Sequence, residues 1–474
     1  YLLGHNASTT TTRHGSLRAD DMGLGKTLQV LCFLAWCLES PTSPTLTPEQ
    51  GKYKPIVVVA PLILLSVWEN ELRKFFRNNG QVFAPYILLH GEQLKNFKAG
   101  NSSNYSLDPK RLSAHQLIIT NYDTLKNHID AFEATPLSIV VADEAQEIKD
   151  PTTNKTKCLK ALNAKFKVAL TGTPVENQLV DLWSIVDFIQ PGLLGDHKQF
   201  AKRFEADLTK ISDQERHKRA NELRQRLNFN QPRAFVVRRT KLDNLEGLPK
   251  KIEHLVYSGL TKKQVDCHRE LINYGKSGDP GCALTAVQKL MLLYQHHSLI
   301  TDNDICLTVA EYLQQSPKLQ SAVSVLEEIG RRREKVLIFT RSLLMQRILQ
   351  SVVSELFGHT PAIINGSKTG SSAQGGSYRQ RLIEEFEGKD GFNTLILSPE
   401  VAGVGLTIVG ANNVLHYGRW WNPAVESQAT DRCYRLGQTK AVNVYYPISV
   451  DDSIAGFDER LHKLLWQKKL LASD

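Results

Sequence analysis

A chain of 474 residues exceeds what one hydrophobic core encloses, since single cores stop growing near about 250–300 residues, so two domains are expected. Its hydrophobic share of 41% and charged share of 23% are those of an ordinary globular protein, and no apolar run approaches the ~18–20 residues of a membrane-spanning helix. The net charge of +9 fits a polyanionic partner such as nucleic acid, although charge alone fits a plain basic enzyme equally well.

The chain opens on Tyr1-Leu2-Leu3-Gly4, which reads as the end of a helix, and on a polar, threonine-rich loop from Ser8 to Thr12. This abrupt opening, close to the first chemical motif, suggests a segment of a longer polypeptide. No secretory signal is visible, so a cytoplasmic location is expected, or a nuclear one in a eukaryote. The next segment, Asp20-Asp21-Met22-Gly23-Leu24-Gly25-Lys26-Thr27, precedes an apolar helix from Leu28 to Leu38. Glycines let backbone N–H groups approach phosphate oxygens, and the helix start adds its positive dipole end. Met22, Gly23, Leu24 and Gly25 would then form the cradle, Lys26 would reach the β and γ phosphates, and the Thr27 hydroxyl would ligate Mg²⁺. The strict pattern requires a glycine or alanine where Asp20 stands.

Short β-branched runs follow: Ile56–Ala60, Leu117–Thr120, Ile139–Ala142 and Val168–Leu170. At the end of the third stand Asp143-Glu144-Ala145-Gln146. A carboxylate there can hold Mg²⁺ through water, the role given to Asp143, and its neighbour Glu144 can orient a water on the γ phosphate. Such a pair also occurs as a plain helix start, but less plausibly after a phosphate loop. Leu170-Thr171-Gly172-Thr173-Pro174 is a turn whose hydroxyls can bond a nearby carboxylate. From 196 to 320 the pattern is mostly helical, and loops are expected at 40–51 and 366–376. A second set of runs comprises Val336–Phe339, Leu395–Leu397, Val414–Tyr417 and Val442–Tyr445. Apolar strands alternating with helices predict an α/β fold of parallel sheets covered on both faces, with chemistry at the strands' carboxyl ends.

In the second set, Arg432 and Arg435 are three apart within Gln428 to Arg435, a spacing that puts both on one face of a helix. Two guanidinium groups facing a cleft suit the charge of a transferring phosphoryl group, whereas on an open helix they would only be solvated. The run 398–406, with Gly403 and Gly405, is another strand-to-glycine turn. Trp420 and Trp421 follow a strand, as core, as a stacking platform or as a wedge. The seven cysteines, Cys32, Cys37, Cys158, Cys267, Cys282, Cys306 and Cys433, have no metal spacing and read as reduced thiols.

Together these motifs, with Asp181-Leu182-Trp183-Ser184, Arg238-Arg239-Thr240-Lys241, Trp420-Trp421-Asn422-Pro423 and Tyr434-Arg435-Leu436-Gly437-Gln438, resemble the Swi/Snf-type branch of superfamily 2 helicase-like ATPases. The resemblance covers nearly the whole chain and implies two RecA-like lobes with ATP and Mg²⁺ in the cleft between them. It places a first lobe at 1–195, helical protrusions and a linker at 196–320, a second lobe at 321–450 and a C-terminal helix at 451–474. It implies that Arg432 and Arg435 act on ATP across the cleft, with Gln428 and Gly405 nearby, and that Thr171 and Thr173 couple hydrolysis to lobe movement. Contacts to double-stranded DNA, mostly to phosphates, are implied for Trp68, Thr120, Arg341, Trp420 and Trp421.

Departures from the family pattern are informative. No adenine-reading glutamine motif precedes Asp20, Gln146 replaces a frequent histidine, and Glu400 stands where Lys or Arg is common. The short second-lobe loop resembles bacterial members, such as the helicase-like subunits of Zorya-type phage-defence systems, in which further modules or partner proteins are expected. The residues leave open a strand-separating helicase, a scaffold with a dead ATP site, or the motor of a larger nuclease.

Overall fold

The computed structural model describes residues 15–40, 54–100, 105–174, 179–205, 213–227, 235–241, 247–277, 281–301, 307–365, 373–399 and 407–473. The chain divides into two compact units, residues 1–245 and 246–473. The readings made for 1–12, for 41–51, for Cys306, for Glu400 and for Gly403 and Gly405 lie outside the described residues. So does most of the loop expected at 366–376, whose last residues open the helix Ala373–Gly388.

The first unit is built on β1 (Gly15–Arg18), β2 (Ile56–Ala60), β3 (Tyr86–Leu89), β4 (Leu117–Asn121), β5 (Leu137–Ala142), β6 (Ala164–Leu170) and β7 (Val236–Val237), in the order β3-β4-β2-β5-β6-β1-β7. Every ladder in this sheet runs parallel. The strands are apolar throughout because both faces are covered, and successive side chains enter opposite cores. Val57, Val59, Val140 and Ala142 pack with Leu182, Ile185 and Phe188 of the helix Leu179–Ile189. Ile56, Val58, Ile139 and Val141 pack on the other face with α1 (Lys26–Glu39) and α2 (Leu65–Phe75), through Leu31, Leu34, Trp68 and Leu72.

The second unit repeats the plan with β8 (Lys251–Ser258), β9 (Lys335–Phe339), β10 (Ala362–Ile364), β11 (Asn393–Leu397), β12 (Asn413–His416) and β13 (Val442–Ser449), ordered β10-β11-β9-β12-β13-β8. Its ladders are again all parallel. Val336 and Ile338 face one core, Leu337 and Phe339 the other. The helix α3 (Pro423–Thr430) follows β12, and α4 (Phe457–Ser473) ends the described chain. Each unit is thus a RecA-like lobe, a parallel sheet with helices on both faces.

Five strands escape the periodicity reading: β1, β3, β7, β8 and β10. Two of these, β7 and β8, interrupt the stretch 196–320 expected to be mostly helical. Residues 196–245 of that stretch belong with the first unit and 247–320 with the second. Among the described residues no helix is long and apolar enough to cross a membrane.

Candidate active site

Sheet order assembles the site. β5, β6 and β1 are neighbours, so the segments leaving their carboxyl ends meet although they are far apart in sequence. The loop after β1 carries Gly23 and Gly25, both left-handed at φ 86° and 72°, a conformation glycine adopts without the steric cost of a side chain. Gly25 is the N-cap of α1 and offers no side-chain cap, so the first N–H groups of the helix stay available to an anion. Lys26 Nζ donates to the carbonyls of Asp20 (2.6 Å) and Asp21 (3.2 Å) and so lies along the loop. Gly172, from the turn after β6, approaches closely: a Cβ there would sit 3.1 Å from Met22 Cγ and 3.8 Å from Lys26 Nζ.

Asp143 emerges from β5 as a buried carboxylate. Its Oδ2 accepts from Trp68 Nε1 (2.8 Å), its Oδ1 from the Glu144 backbone N–H (2.9 Å), and its carbonyl from Tyr122 Oη (2.8 Å). Burial, reinforced by the charge of Glu144, pushes the Asp143 carboxyl up to about 7, against the bond from Trp68 and the charge of Lys26. A divalent cation would add to the countercharge that Lys26 supplies. Magnesium carried with ATP asks for only one or two carboxylates, the rest coming from phosphates, a hydroxyl and water. Asp143 and Thr27 fit that demand. No cluster of three or more His, Cys, Asp or Glu stands ready for a metal of its own among the described residues.

Glu144 has left-handed backbone angles (φ 48°, ψ 55°), costly for a side-chain-bearing residue and typical of functional positions. A hydrogen-bonded relay leads from it. Gln146 Nε2 donates to Glu144 Oε2 (2.6 Å), Thr171 Oγ1 donates to Gln146 Oε1 (2.7 Å), and the Thr173 backbone N–H donates to Thr171 Oγ1 (3.0 Å). The third residue after Asp143 therefore connects the carboxylate pair to the turn after β6. The sequence named Gln146 only as a departure from histidine.

Two expected DNA contacts are corrected by burial. Trp68 has no exposed surface and instead orients Asp143. Thr120 is equally enclosed, its hydroxyl donating to Leu89 O at 2.8 Å. Both side chains are internal to the first unit.

In the second unit the helical argument for Arg432 and Arg435 is also corrected. α3 ends at Thr430 with Asp431 as its C-cap, so both arginines lie in the turns that follow. Gln428 remains on the helix, partly exposed. Arg435 Nη1 donates to Thr407 Oγ1 (2.8 Å), and the buried Arg432 accepts through its carbonyl from Ile408 N–H (2.9 Å). Both thus adjoin the segment that opens at Thr407. Gln438, buried and missed as a site residue, pins the same segment by donating to Val409 O (3.1 Å) and Ala411 O (2.8 Å).

Of the other expected contacts, Arg341 and Trp420 meet, while Trp421 packs elsewhere. The Arg341 guanidinium lies 4.7 Å from the centroid of Trp420, while Trp421 Nε1 donates to Met291 Sδ at 3.0 Å. Beneath them Glu426 accepts from Trp420 N–H (2.9 Å) and pairs with Arg419 (2.9 and 3.1 Å) in a buried, forked ion pair. Lys468 of α4 donates to the Trp421 carbonyl at 3.3 Å, so the tryptophan loop is held from two sides.

A glycine loop at a helix start, a lysine, and an acidic pair at the end of the next strand but one define a nucleoside triphosphatase on a RecA-like lobe. A family model of the SNF2-related domain matches residues 4–296, and one of the helicase conserved C-terminal domain matches residues 318–437. The chain belongs to the SNF2-related family of helicase-like ATPases. It is 38% identical to the Zorya protein ZorD of Escherichia coli O139:H28, over 97% of this chain and 42% of that protein. It is 31% identical to the putative ATP-dependent helicase/translocase YwqA of Bacillus subtilis, over 96% of this chain and 46% of that protein. The chain therefore spans less than half the length of either relative. The SWI2/SNF2 ATPase core of Sulfolobus solfataricus in complex with dsDNA is 30% identical, covering 97% of this chain and 89% of that one, with a TM-score of 0.41.

Proposed function

We propose that the chain is the motor of an ATP-dependent translocase on double-stranded DNA. The observation that carries the reading is the array on the first sheet: Lys26 beside the loop, Asp143 buried at the next strand but one, and Glu144 linked through Gln146 to Thr171. In this reading Met22 to Thr27 would hold the phosphates, and Thr27 and Asp143 would hold Mg²⁺, which would screen the phosphate charge. Glu144 accepts a proton from the attacking water. Gln428, Arg432 and Arg435 of the second unit are assigned to ATP turnover in the same reading.

DNA is read as a polyanion. The Arg341–Trp420 pair offers one guanidinium and aromatic surface, and the net charge of +9 favours phosphate contacts without sequence preference. The likeness to a protein named as a helicase/translocase supports motion along DNA. ATP turnover is expected to rise severalfold or more with duplex DNA and to vanish in Lys26→Ala; a rate indifferent to duplex sinks the translocase reading. Displacement of a triplex strand without unwinding of a fork would separate translocation from the alternative, a strand-separating helicase.

The likeness to ZorD supports a place in bacterial anti-phage defence, with further domains or partner proteins. Cells carrying the native locus are expected to resist phage, and the same locus with Lys26→Ala to plaque like cells without it. Equal protection by both would remove ATP hydrolysis from that role.

A further inference from the structure

Asp20 stands where the strict phosphate-loop pattern has a small residue, and its environment accounts for it. The side chain is fully buried, and its carboxylate receives Arg239 from three directions: Nε at 3.2 Å from each oxygen, Nη2 at 2.5 Å from Oδ2, and the Arg239 backbone N–H at 3.0 Å from Oδ1. Arg18 lies 3.5 Å away on the same carboxylate. Arg239 Nη2 also donates to Gln29 Oε1 (2.6 Å), whose own Nε2 donates to the Leu24 carbonyl (2.7 Å). Next to it Asp21 Oδ2 accepts from Lys241 N–H (3.0 Å).

These bonds extend the pairing of β1 with β7 beyond the strand ends. Ala19 N–H donates to Val237 O (2.8 Å) and Asp21 N–H to Arg239 O (2.9 Å). The loop from 19 to 24 is therefore gripped at its start by a segment more than two hundred residues later in sequence, and at Leu24 through Gln29. The carbonyls of Asp20 and Asp21 are the same groups that hold Lys26 Nζ. A carboxylate at the mouth of a phosphate cradle would repel the ligand unless it were neutralised and turned away. Arg239 does both.

We propose that Arg239 is a positioning residue for phosphate binding, acting through Asp20 and Gln29 to set the backbone of the loop and with it Lys26. The proposal rests on the reading of this loop as the ATP site. Lys241 lies four residues before Leu245, where the first unit ends, so this clamp occupies the last stretch of chain before the second unit.

The test compares Arg239→Ala, the double variant Asp20→Ala/Arg239→Ala and Lys26→Ala in ATPase assays with duplex DNA and in binding of a fluorescent ATP analogue. Arg239→Ala is expected to raise KM for ATP and Kd for the analogue about tenfold, the order expected for a lost charge-assisted bond. The turnover at saturating ATP should change by less than about twofold, whereas a merely structural role lowers the active fraction and leaves KM alone. Should Arg239→Ala fail to fold, the double variant, which removes the carboxylate that Arg239 neutralises and leaves Arg18 bonded to Gln29, carries the test and is expected to keep the raised KM. KM within about twofold of the parent in a folded variant overturns the proposal. Lys26→Ala binding the analogue as the parent does would instead overturn the ATP-site reading, so the two failures are distinct.

Discussion

Glu144→Gln is expected to lower DNA-stimulated ATP turnover by about 10²–10⁴-fold, the usual contribution of a general base, while nucleotide still binds. The substitution is nearly isosteric, and the new amide oxygen can still accept from Gln146 Nε2, which now donates to Glu144 at 2.6 Å. What disappears is the anionic proton acceptor. The left-handed backbone at position 144 is retained, since nothing in the exchange alters its strain. Phosphate release at saturating ATP and DNA, beside analogue binding, decides the matter. Turnover within about tenfold of the parent would assign the base to another group.

Arg435→Ala is expected to cut turnover by about 10³-fold, the lower range for an arginine that meets transition-state charge, with analogue binding kept. The structure offers a rival cause, because Arg435 Nη1 also bonds Thr407 Oγ1 at 2.8 Å. Thr407→Val removes that bond and leaves the guanidinium. A catalytic arginine predicts that Thr407→Val stays close to the parent. If both variants fall together, or if Arg435→Ala loses binding instead of turnover, the arginine serves the local fold.

The strands legible in the sequence are those buried on both faces, such as Ile56–Ala60 and Val336–Phe339, because double burial writes a continuous apolar run. β1 was not legible, although all four of its residues are buried. Ser16 donates to Phe235 O at 3.3 Å, Arg18 pairs with Asp20, and a Cβ on Gly15 would meet Lys167 O at 2.0 Å. Its burial is by polar bonding and close backbone approach, which leave no hydrophobic period. β8 was hidden for the opposite reason: it forms the edge of its sheet, and most of its side chains are exposed or half-buried.

The motifs after β5 and β6 are readable as residue types at strand ends and the glycine loop as a helix start, but their adjacency follows from strand order, which spacing does not encode. The three-residue spacing of Arg432 and Arg435 misled because helix α3 stops before reaching them. Trp68 shows the limit of carrying a role over by resemblance. Its position matched, yet the indole points inward to a carboxylate, a fact that depends on α2 packing its Trp68 and Leu72 into the core.

Gln146 carries one further consequence. Its amide donates at one end and accepts at the other, and no proton is gained or lost in the process. An imidazole in that place could do the same only as a neutral ring in one tautomer. On protonation both ring nitrogens donate, and the acceptor facing Thr171 is lost. A histidine would thus change the direction of its bond to Thr171, from accepting to donating, as it takes up a proton. With glutamine the direction of both bonds is fixed by the amide itself, and no proton on residue 146 can reverse either.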